Sequence, residues 1–175
     1  IMPSLVGSEM CIRDRYNISK KKECIMTINI NEKAPEFSLK DQYKNDINLS
    51  DLKGKKVILS WHPLAFTSVC TDQMRSLERN YDRIQEKGDT VVIGLSIDPF
   101  PAKQKWADIL CIENVKIASD FFPYAEVTKA YGLFNEENGA SQRANVIVDE
   151  EGNVKWVKVY EPSELPDIEE VIENL

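Results

Sequence analysis

The sequence predicts a single α/β domain, because stretches with the spacing of strands alternate along it with stretches that have the spacing of helices. The chain has 175 residues, which is enough for one domain with a sizeable core. Hydrophobic residues make up 42% of it and charged residues 29%, a composition typical of globular proteins. Since no repeat or linker interrupts the pattern, residues 26–175 are expected to form the domain.

Residues 1–25 are interpreted as a segment that does not belong to this domain. Positions 5–15 read LVGSEMCIRDR, and a back-translation of this stretch resembles a transposon-based sequencing adapter. A signal peptide is not indicated, because Glu9 and Asp14 interrupt the apolar residues. We expect a non-native segment or, alternatively, a natural disordered tail, with Met26 as the native start.

The first half of the domain contains two short strands, a buried strand and a long helix. The short strands are expected at 37–39 and 46–49, on either side of a polar turn. The apolar run 57–61 has the length and composition of a buried strand. From about 67 to 87 apolar residues recur at helical spacing, and Gly88 follows as a stop.

The second half continues with a strand at 90–97, rich in β-branched residues, and a helix with Pro101 in its first turn that ends near residue 111. The remaining elements are a helix, the two strands of a hairpin and an acidic amphipathic helix, expected at 124–131, 144–148, 154–159 and 165–175. Two strand–helix units followed by a hairpin and a helix resemble the thioredoxin fold, in which helices flank a central mixed sheet.

A cysteine motif lies between the first apolar strand and the first long helix. The segment that starts at Pro63 reads PLAFTSVC and ends in Cys70, in the first turn of the helix, where backbone N–H groups are free. Pro63, Thr67 and Cys70 fit the pattern PxxxTxxC, so the segment resembles the active-site loop of the peroxiredoxins.

A second motif strengthens this resemblance. Arg143 directly precedes the apolar stretch ANVIV and Asp149, as an arginine does at the start of a later strand in that family. PLAFT before the cysteine, and DFFP and AYGLFN later, look most like the one-cysteine alkyl hydroperoxide reductase E subfamily. The resemblance covers about 34–160. It implies a thiol-dependent peroxidase for hydrogen peroxide and organic hydroperoxides, without a cofactor or a metal.

The chemistry of peroxide reduction explains these residue types. The attacking group must be a thiolate, which a helix N-terminus and a nearby guanidinium both favour. Arg143 stays charged near neutral pH and can stabilise the leaving oxygen, while the Thr67 hydroxyl can orient the peroxide. The resemblance implies that Pro63 packs over the sulfur and that the product is the sulfenic acid of Cys70.

Each of these residues also has a purely structural interpretation. Cys70 could be a buried core residue, Thr67 an N-cap, Pro63 the end of a strand and Arg143 a surface charge. His62 is the sole histidine and could pair with the cysteine. We prefer a structural role for it, because it ends a strand and the family does not need a histidine there.

Two further positions bear on the mechanism. The family often has glutamate three residues after the cysteine, where this sequence has Gln73, so the way in which the arginine is held stays open. Cys111 is the one internal candidate for a resolving cysteine, at the far end of a helix and roughly 15 Å from the end that faces Cys70. It could reach Cys70 if this helix unwinds, or through a partner subunit. We prefer an external thiol or a thioredoxin-like protein as reductant.

Composition also limits the partners. The net charge of -7 argues against nucleic acid, and no apolar run approaches the ~20 residues of a membrane span. The cysteines form no CxxC pair, which indicates free thiols in a reducing, cytoplasmic compartment.

The family resemblance implies a homodimer formed through loops near the active site. A thiol–disulfide oxidoreductase is disfavoured, since TxxC replaces CxxC, while a redox sensor remains an alternative.

Overall fold

The computed structural model describes residues 28–175, so the predictions for residues 1–25 and for Met26 lie outside the described residues. The described chain forms a mixed seven-stranded sheet with helices packed on both faces, and a separate two-stranded hairpin. The predicted α/β class with a central mixed sheet is therefore confirmed.

The strands are β1 (Ser38–Lys40), β2 (Asp46–Asn48), β3 (Lys56–Trp61), β4 (Thr90–Ser96), β5 (Lys116–Ser119), β6 (Phe134–Asn135), β7 (Ala140–Ser141), β8 (Arg143–Val148) and β9 (Val154–Tyr160). The helices are α1 (Ser68–Arg79), α2 (Tyr81–Gln85), α3 (Phe100–Leu110), α4 (Glu126–Ala130) and α5 (Ile168–Glu173), and a 3-10 helix spans Leu49–Leu52.

The order of strands brings the ends of three parallel strands together. The large sheet runs β2-β1-β5-β4-β3-β8-β9, with β3, β4 and β5 parallel and β8 antiparallel to β3. The strands β3, β4 and β5 therefore end at one edge of the sheet, here called the carboxyl edge. Helices α1 and α3 begin at this edge, and Arg143 lies there because its neighbour Ala144 pairs with Trp61.

The core has two parts, one on each face of the sheet, and successive residues of β3 contribute to them in turn. Leu59 and Trp61 pack with Val127 of α4 on one face. Ile58 packs on the other face, in a cluster with residues of α1, α2, α3 and α5, among them Met74. Burial of each large apolar side chain contributes about 1.5–3 kcal/mol relative to exposure. Helices on both faces explain why this strand reads as a continuous apolar run.

The main differences from the sequence prediction concern helix ends and short strands. The helix expected over 67–87 is interrupted at Asn80, whose side chain donates to the Ser76 carbonyl. The helix expected over 165–175 begins only at Ile168, after Asp167 accepts the N–H of Glu169 as its cap. Strands β5, β6 and β7 were not predicted. No helix within residues 28–175 is long and apolar enough to cross a bilayer.

A carboxylate on α1 holds the connection between α3 and β5. Glu78 accepts hydrogen bonds from the backbone N–H groups of Glu113, Asn114 and Val115, at 3.1, 3.0 and 2.9 Å. Burial raises the pKa of Glu78, but these hydrogen bonds outweigh it, and the pKa lies below its ordinary value overall. The charged form of Glu78 is therefore the form that stabilises this connection.

Replacing this carboxylate should destabilise the fold in a pH-dependent way. We expect Glu78→Ala to lower the free energy of unfolding at pH 7 by about 1 kcal/mol, since the lost hydrogen bonds are partly exposed. The stabilisation is present above the unfolded pKa of about 4.3 and is lost as the pH falls through the lower folded pKa. Urea unfolding at several pH values measures this. The exposed Glu86 makes no side-chain hydrogen bond in the described chain, and Glu86→Ala is the control. An equal loss for both variants would contradict the assigned role of Glu78.

Candidate active site

Cys70 lies in the first turn of α1, directly after the loop that leaves β3. Its side chain is buried, with 1% exposure, and it is a free thiol. Nη2 of Arg143 lies 3.4 Å from its Sγ atom in hydrogen-bonding geometry. The helix N-terminus and the guanidinium both favour a negative charge on this sulfur.

Arg143 is the first residue of β8, and its side chain is buried. Nη1 donates to Oε1 of Gln73, and Nη2 donates to the carbonyl of Pro162 at 3.0 Å as well as to Cys70. No ion pair among residues 28–175 includes Arg143. Among the described residues, the sulfur of Cys70 is thus the atom in contact with this buried charge that is able to carry a negative charge.

Gln73 connects the arginine to the sheet. Its side chain is buried, and Nε2 donates to Oγ of Ser60 at 2.8 Å and to the carbonyl of Trp61 at 3.1 Å. With Nε2 fixed on β3, its Oε1 faces Arg143. A neutral amide therefore holds the guanidinium in place without cancelling its charge, which answers how Arg143 is held in a sequence that lacks the glutamate.

The loop from Pro63 to Thr67 is fixed by two contacts. The Thr67 hydroxyl donates to the carbonyl of Leu64 at 3.0 Å, although Thr67 occupies the N-cap position of α1 and makes no capping bond. Oδ2 of Asp98, just beyond β4, accepts the N–H of Ala65 at 2.9 Å. Between these contacts Phe66 has a φ of 65°, a conformation that costs a non-glycine residue energy and that the contacts must maintain.

Asp98 carries no signal in the sequence that predicts a place in the site. Oδ2 of this residue also accepts from the Ser96 hydroxyl at 2.6 Å, and its carbonyl accepts from the Ser119 hydroxyl at 2.7 Å. It therefore ties the loop before Cys70 to the ends of β4 and β5. Spacing along the sequence gives no signal for such a contact, because the two partners are 33 positions apart.

Other groups behind the loop are buried. The ring of His62 lies 5.1 Å from that of Trp106, and burial holds the pKa of His62 well below its ordinary value, so the imidazole is neutral. Nε1 of Trp106 donates to the hydroxyl of Thr71 at 3.3 Å, next to Cys70. Lys103 is also buried, and desolvation lowers its pKa to about 7. Within residues 28–175, no three histidine, cysteine, aspartate or glutamate side chains lie close enough together to hold a metal ion.

Cys111 lies away from this cluster. It follows the last residue of α3, and its side chain is exposed. Its backbone is left-handed, with a φ of 54°, and its N–H contacts the carbonyl of Asp108. Because α3 begins at the carboxyl edge and has 11 residues, Cys111 is about 16 Å along the helix from that edge. Structure and sequence thus agree on a remote thiol.

Comparisons with known proteins show the family and the fold to which the chain is similar. Residues 30–157 match the AhpC/TSA family. Alkyl hydroperoxide reductase E of Mycobacterium tuberculosis is 32% identical over 141 residues, which cover 80% of this chain and 91% of the relative. A peroxiredoxin of Thermoplasma volcanium is 36% identical over 84% of this chain and 73% of its own length. The crystal structure of Enterococcus faecalis AhpC superposes with a TM-score of 0.77 at 23% identity, over 85% of this chain and 90% of that one, which supports the fold.

A carboxylate at position 73 should weaken the site. We expect Gln73→Glu to slow alkylation and peroxide oxidation of Cys70 at pH 7 about tenfold, about 1.4 kcal/mol, because the new carboxylate competes for the guanidinium. The midpoint of the pH–rate profile should move to higher pH. The same change at the exposed Gln104 of α3 is the control. A profile for Gln73→Glu that superposes on that of the unchanged protein would contradict the role of a neutral amide.

Proposed function

The chain belongs to the AhpC/TSA family and is a thiol-dependent peroxidase with the thioredoxin-like fold of the peroxiredoxins, and on that premise we propose that Cys70 is the residue that attacks the peroxide. The observation that carries this assignment is the contact between Cys70 and Arg143, at 3.4 Å. It joins a buried sulfur to a buried guanidinium that no carboxylate of the described chain neutralises.

The reaction at this site is a displacement at oxygen. The Cys70 thiolate attacks the terminal oxygen of ROOH, so that an S–O bond forms as the O–O bond breaks. The sulfur is oxidised to sulfenic acid, which keeps the proton of the peroxide hydroxyl, and RO⁻ leaves and takes a proton from water to give ROH. Arg143 stabilises the charge that grows on the departing oxygen.

Thr67 and Pro63 complete the site in this proposal. The exposed Thr67 hydroxyl donates to Leu64 in the free protein, so its lone pairs can accept the proton of an incoming hydroperoxide. Pro63 borders the same cleft as Arg143 and has no N–H with which to compete for the peroxide. Their contribution is to orient the peroxide for attack.

An external thiol or a thioredoxin-like protein is proposed to return Cys70 to the thiol. One thiol displaces water from the sulfenic acid to form a mixed disulfide, and a second releases Cys70 and leaves as the disulfide of the reductant. Cys111 would need to cross most of the length of α3, whereas a disulfide requires Cα atoms within about 7 Å. The free thiols of Cys70 and Cys111 are consistent with a reducing compartment, and we place the protein in the cytoplasm.

A homodimer is proposed through the carboxyl edge. Loops at this edge expose a group of large apolar side chains: Leu64, Phe66, Phe121, Phe122 and Tyr124. Phe122 is the most exposed of these side chains, at 86%. Apolar side chains grouped in this way mark interaction surfaces more often than isolated ones do. A second copy would bury them next to the loop that carries Thr67.

Removing the sulfur nucleophile tests the assignment directly. Cys70→Ser should abolish peroxide consumption with dithiothreitol as reductant, because the hydroxyl of serine is not ionised at neutral pH, while the circular dichroism spectrum of the folded protein is retained. Cys111→Ser is the matched control and should keep turnover within about twofold, or 0.4 kcal/mol. Turnover by Cys70→Ser would refute the central assignment. Its loss in Cys111→Ser would instead make Cys111 a resolving residue.

The dimer proposal has its own test. Phe122→Glu should give a monomer in sedimentation velocity at concentrations where the unchanged protein is a dimer, since a buried charge opposes association. Ile109→Glu alters another exposed apolar residue, at the end of α3 that lies away from the carboxyl edge, and should leave the dimer intact. A monomeric unchanged protein, or equal dissociation of both variants, would overturn the proposed interface.

A further inference from the structure

A cleft of about 360 Å³ borders the site on the side of Pro63 and Arg143. We propose that this cleft binds the carbon skeleton of a neutral organic hydroperoxide that carries a second oxygen acceptor, such as a hydroxyl or a carbonyl. This inference rests on the proposed role of Cys70 and specifies the class of substrate that reaches it.

The cleft has two different walls. One is formed by the β6–β7 hairpin and the residue after it, and includes Asn135, Asn138, Ser141 and Gln142. The other is formed by the end of β9 and the segment that follows, and includes Val159, Tyr160, Glu161 and Pro162. Pro162 also accepts the hydrogen bond from Arg143, so the cleft is continuous with the guanidinium that contacts Cys70.

The size of the cleft exceeds what hydrogen peroxide needs. A water molecule occupies about 30 Å³, and hydrogen peroxide is about twice that size. Sites for small organic ligands begin at about 300 Å³. A volume of about 360 Å³ therefore suits a hydroperoxide with a carbon skeleton of several atoms.

The hairpin wall presents hydrogen-bond donors. Oδ1 of Asn135 accepts the N–H of Glu137 at 2.9 Å, and Oδ1 of Asn138 accepts the N–H of Ala140 at 3.0 Å. Because each side-chain oxygen already accepts a hydrogen bond, the NH₂ group of each asparagine is the part that can bind a ligand. Neither NH₂ group donates a hydrogen bond to another residue within 28–175. Donors of this kind bind hydroxyl or carbonyl oxygens of a ligand.

The opposite wall is apolar and carries one acidic group. Val159 is 40% exposed, and the buried Tyr160 stays neutral, because burial raises its pKa to about 12. Glu161 is exposed at the same wall. Besides the buried Arg143, which contacts Cys70, Glu161 is the charged side chain among the described residues that line the cleft. It disfavours a substrate that carries a carboxylate and leaves neutral hydroperoxides as the preferred class.

The test compares peroxides on the full chain. Rates of Cys70 oxidation are measured with hydrogen peroxide, tert-butyl hydroperoxide, and the hydroperoxides of N-acetyl-leucine amide and N-acetyl-leucine, which differ in charge. We expect the amide to react faster than the acid. Asn138→Asp keeps the acceptor for Ala140 but removes the donor, and it should slow the amide hydroperoxide about three- to tenfold and leave hydrogen peroxide within twofold. Asn135→Asp should act similarly, and Gln104→Glu controls for the added charge.

The outcomes separate this inference from the role of Cys70. Two results would overturn the cleft as a substrate site while the peroxidase assignment stands. One is equal reactivity of the amide and acid hydroperoxides. The other is that Asn138→Asp slows the reaction with hydrogen peroxide as much as the reaction with the amide hydroperoxide. Failure of Cys70 to react with hydrogen peroxide in the unchanged protein would overturn the proposed function, and the cleft assignment with it. A selective loss with the amide hydroperoxide supports both.

Discussion

Arg143 carries a permanent positive charge into a site where it is only 3% exposed, and the rest of the site is arranged around that charge. A buried guanidinium without an anion is costly, and the carboxylates of the described chain form no ion pair with it. Gln73 and Pro162 satisfy its N–H groups with neutral oxygens. Of the groups that contact the guanidinium, the sulfur of Cys70 is the one that can become negatively charged, so this contact favours the thiolate that the proposed mechanism needs.

The topology of the sheet places the two partners together. Strands β3 and β8 are antiparallel neighbours, and the pairing of Trp61 with Ala144 puts the start of β8 beside the end of β3. The loop after β3 must then turn within a few residues to begin α1 with Cys70 in its first turn. Asp98, beyond β4, holds that turn through the N–H of Ala65, and Phe66 takes a left-handed backbone conformation within it. Each strand of the parallel group therefore contributes to the geometry at the sulfur.

Sequence alone predicted those parts of the site that local pattern determines. The sequence correctly predicted that Cys70 lies in the first turn of a helix after a buried strand and that Arg143 precedes an apolar strand. The roles of Asp98 and Gln73 could not be predicted, because both depend on contacts between distant segments or on which way a side chain points. Strand β5 was missed because four residues are too few to show a period, and its pairing with β4 determines its conformation. The end of α1 was missed because apolar spacing continues across Asn80 into α2.

The central claim is that the Cys70 thiolate is the counter-ion of Arg143, and a pH titration of the thiolate tests it most directly. The ultraviolet absorbance of the thiolate would be followed in two proteins, one with Arg143 and one with Arg143→Met, which keeps the length of the side chain and removes its charge. Cys11, Cys24 and Cys111 are replaced by serine in both, so that Cys70 is the one thiol that titrates. We predict that the midpoint for Arg143→Met lies at least about one pH unit higher, the equivalent of about 1.4 kcal/mol. Coincident titrations of the two proteins would contradict the account.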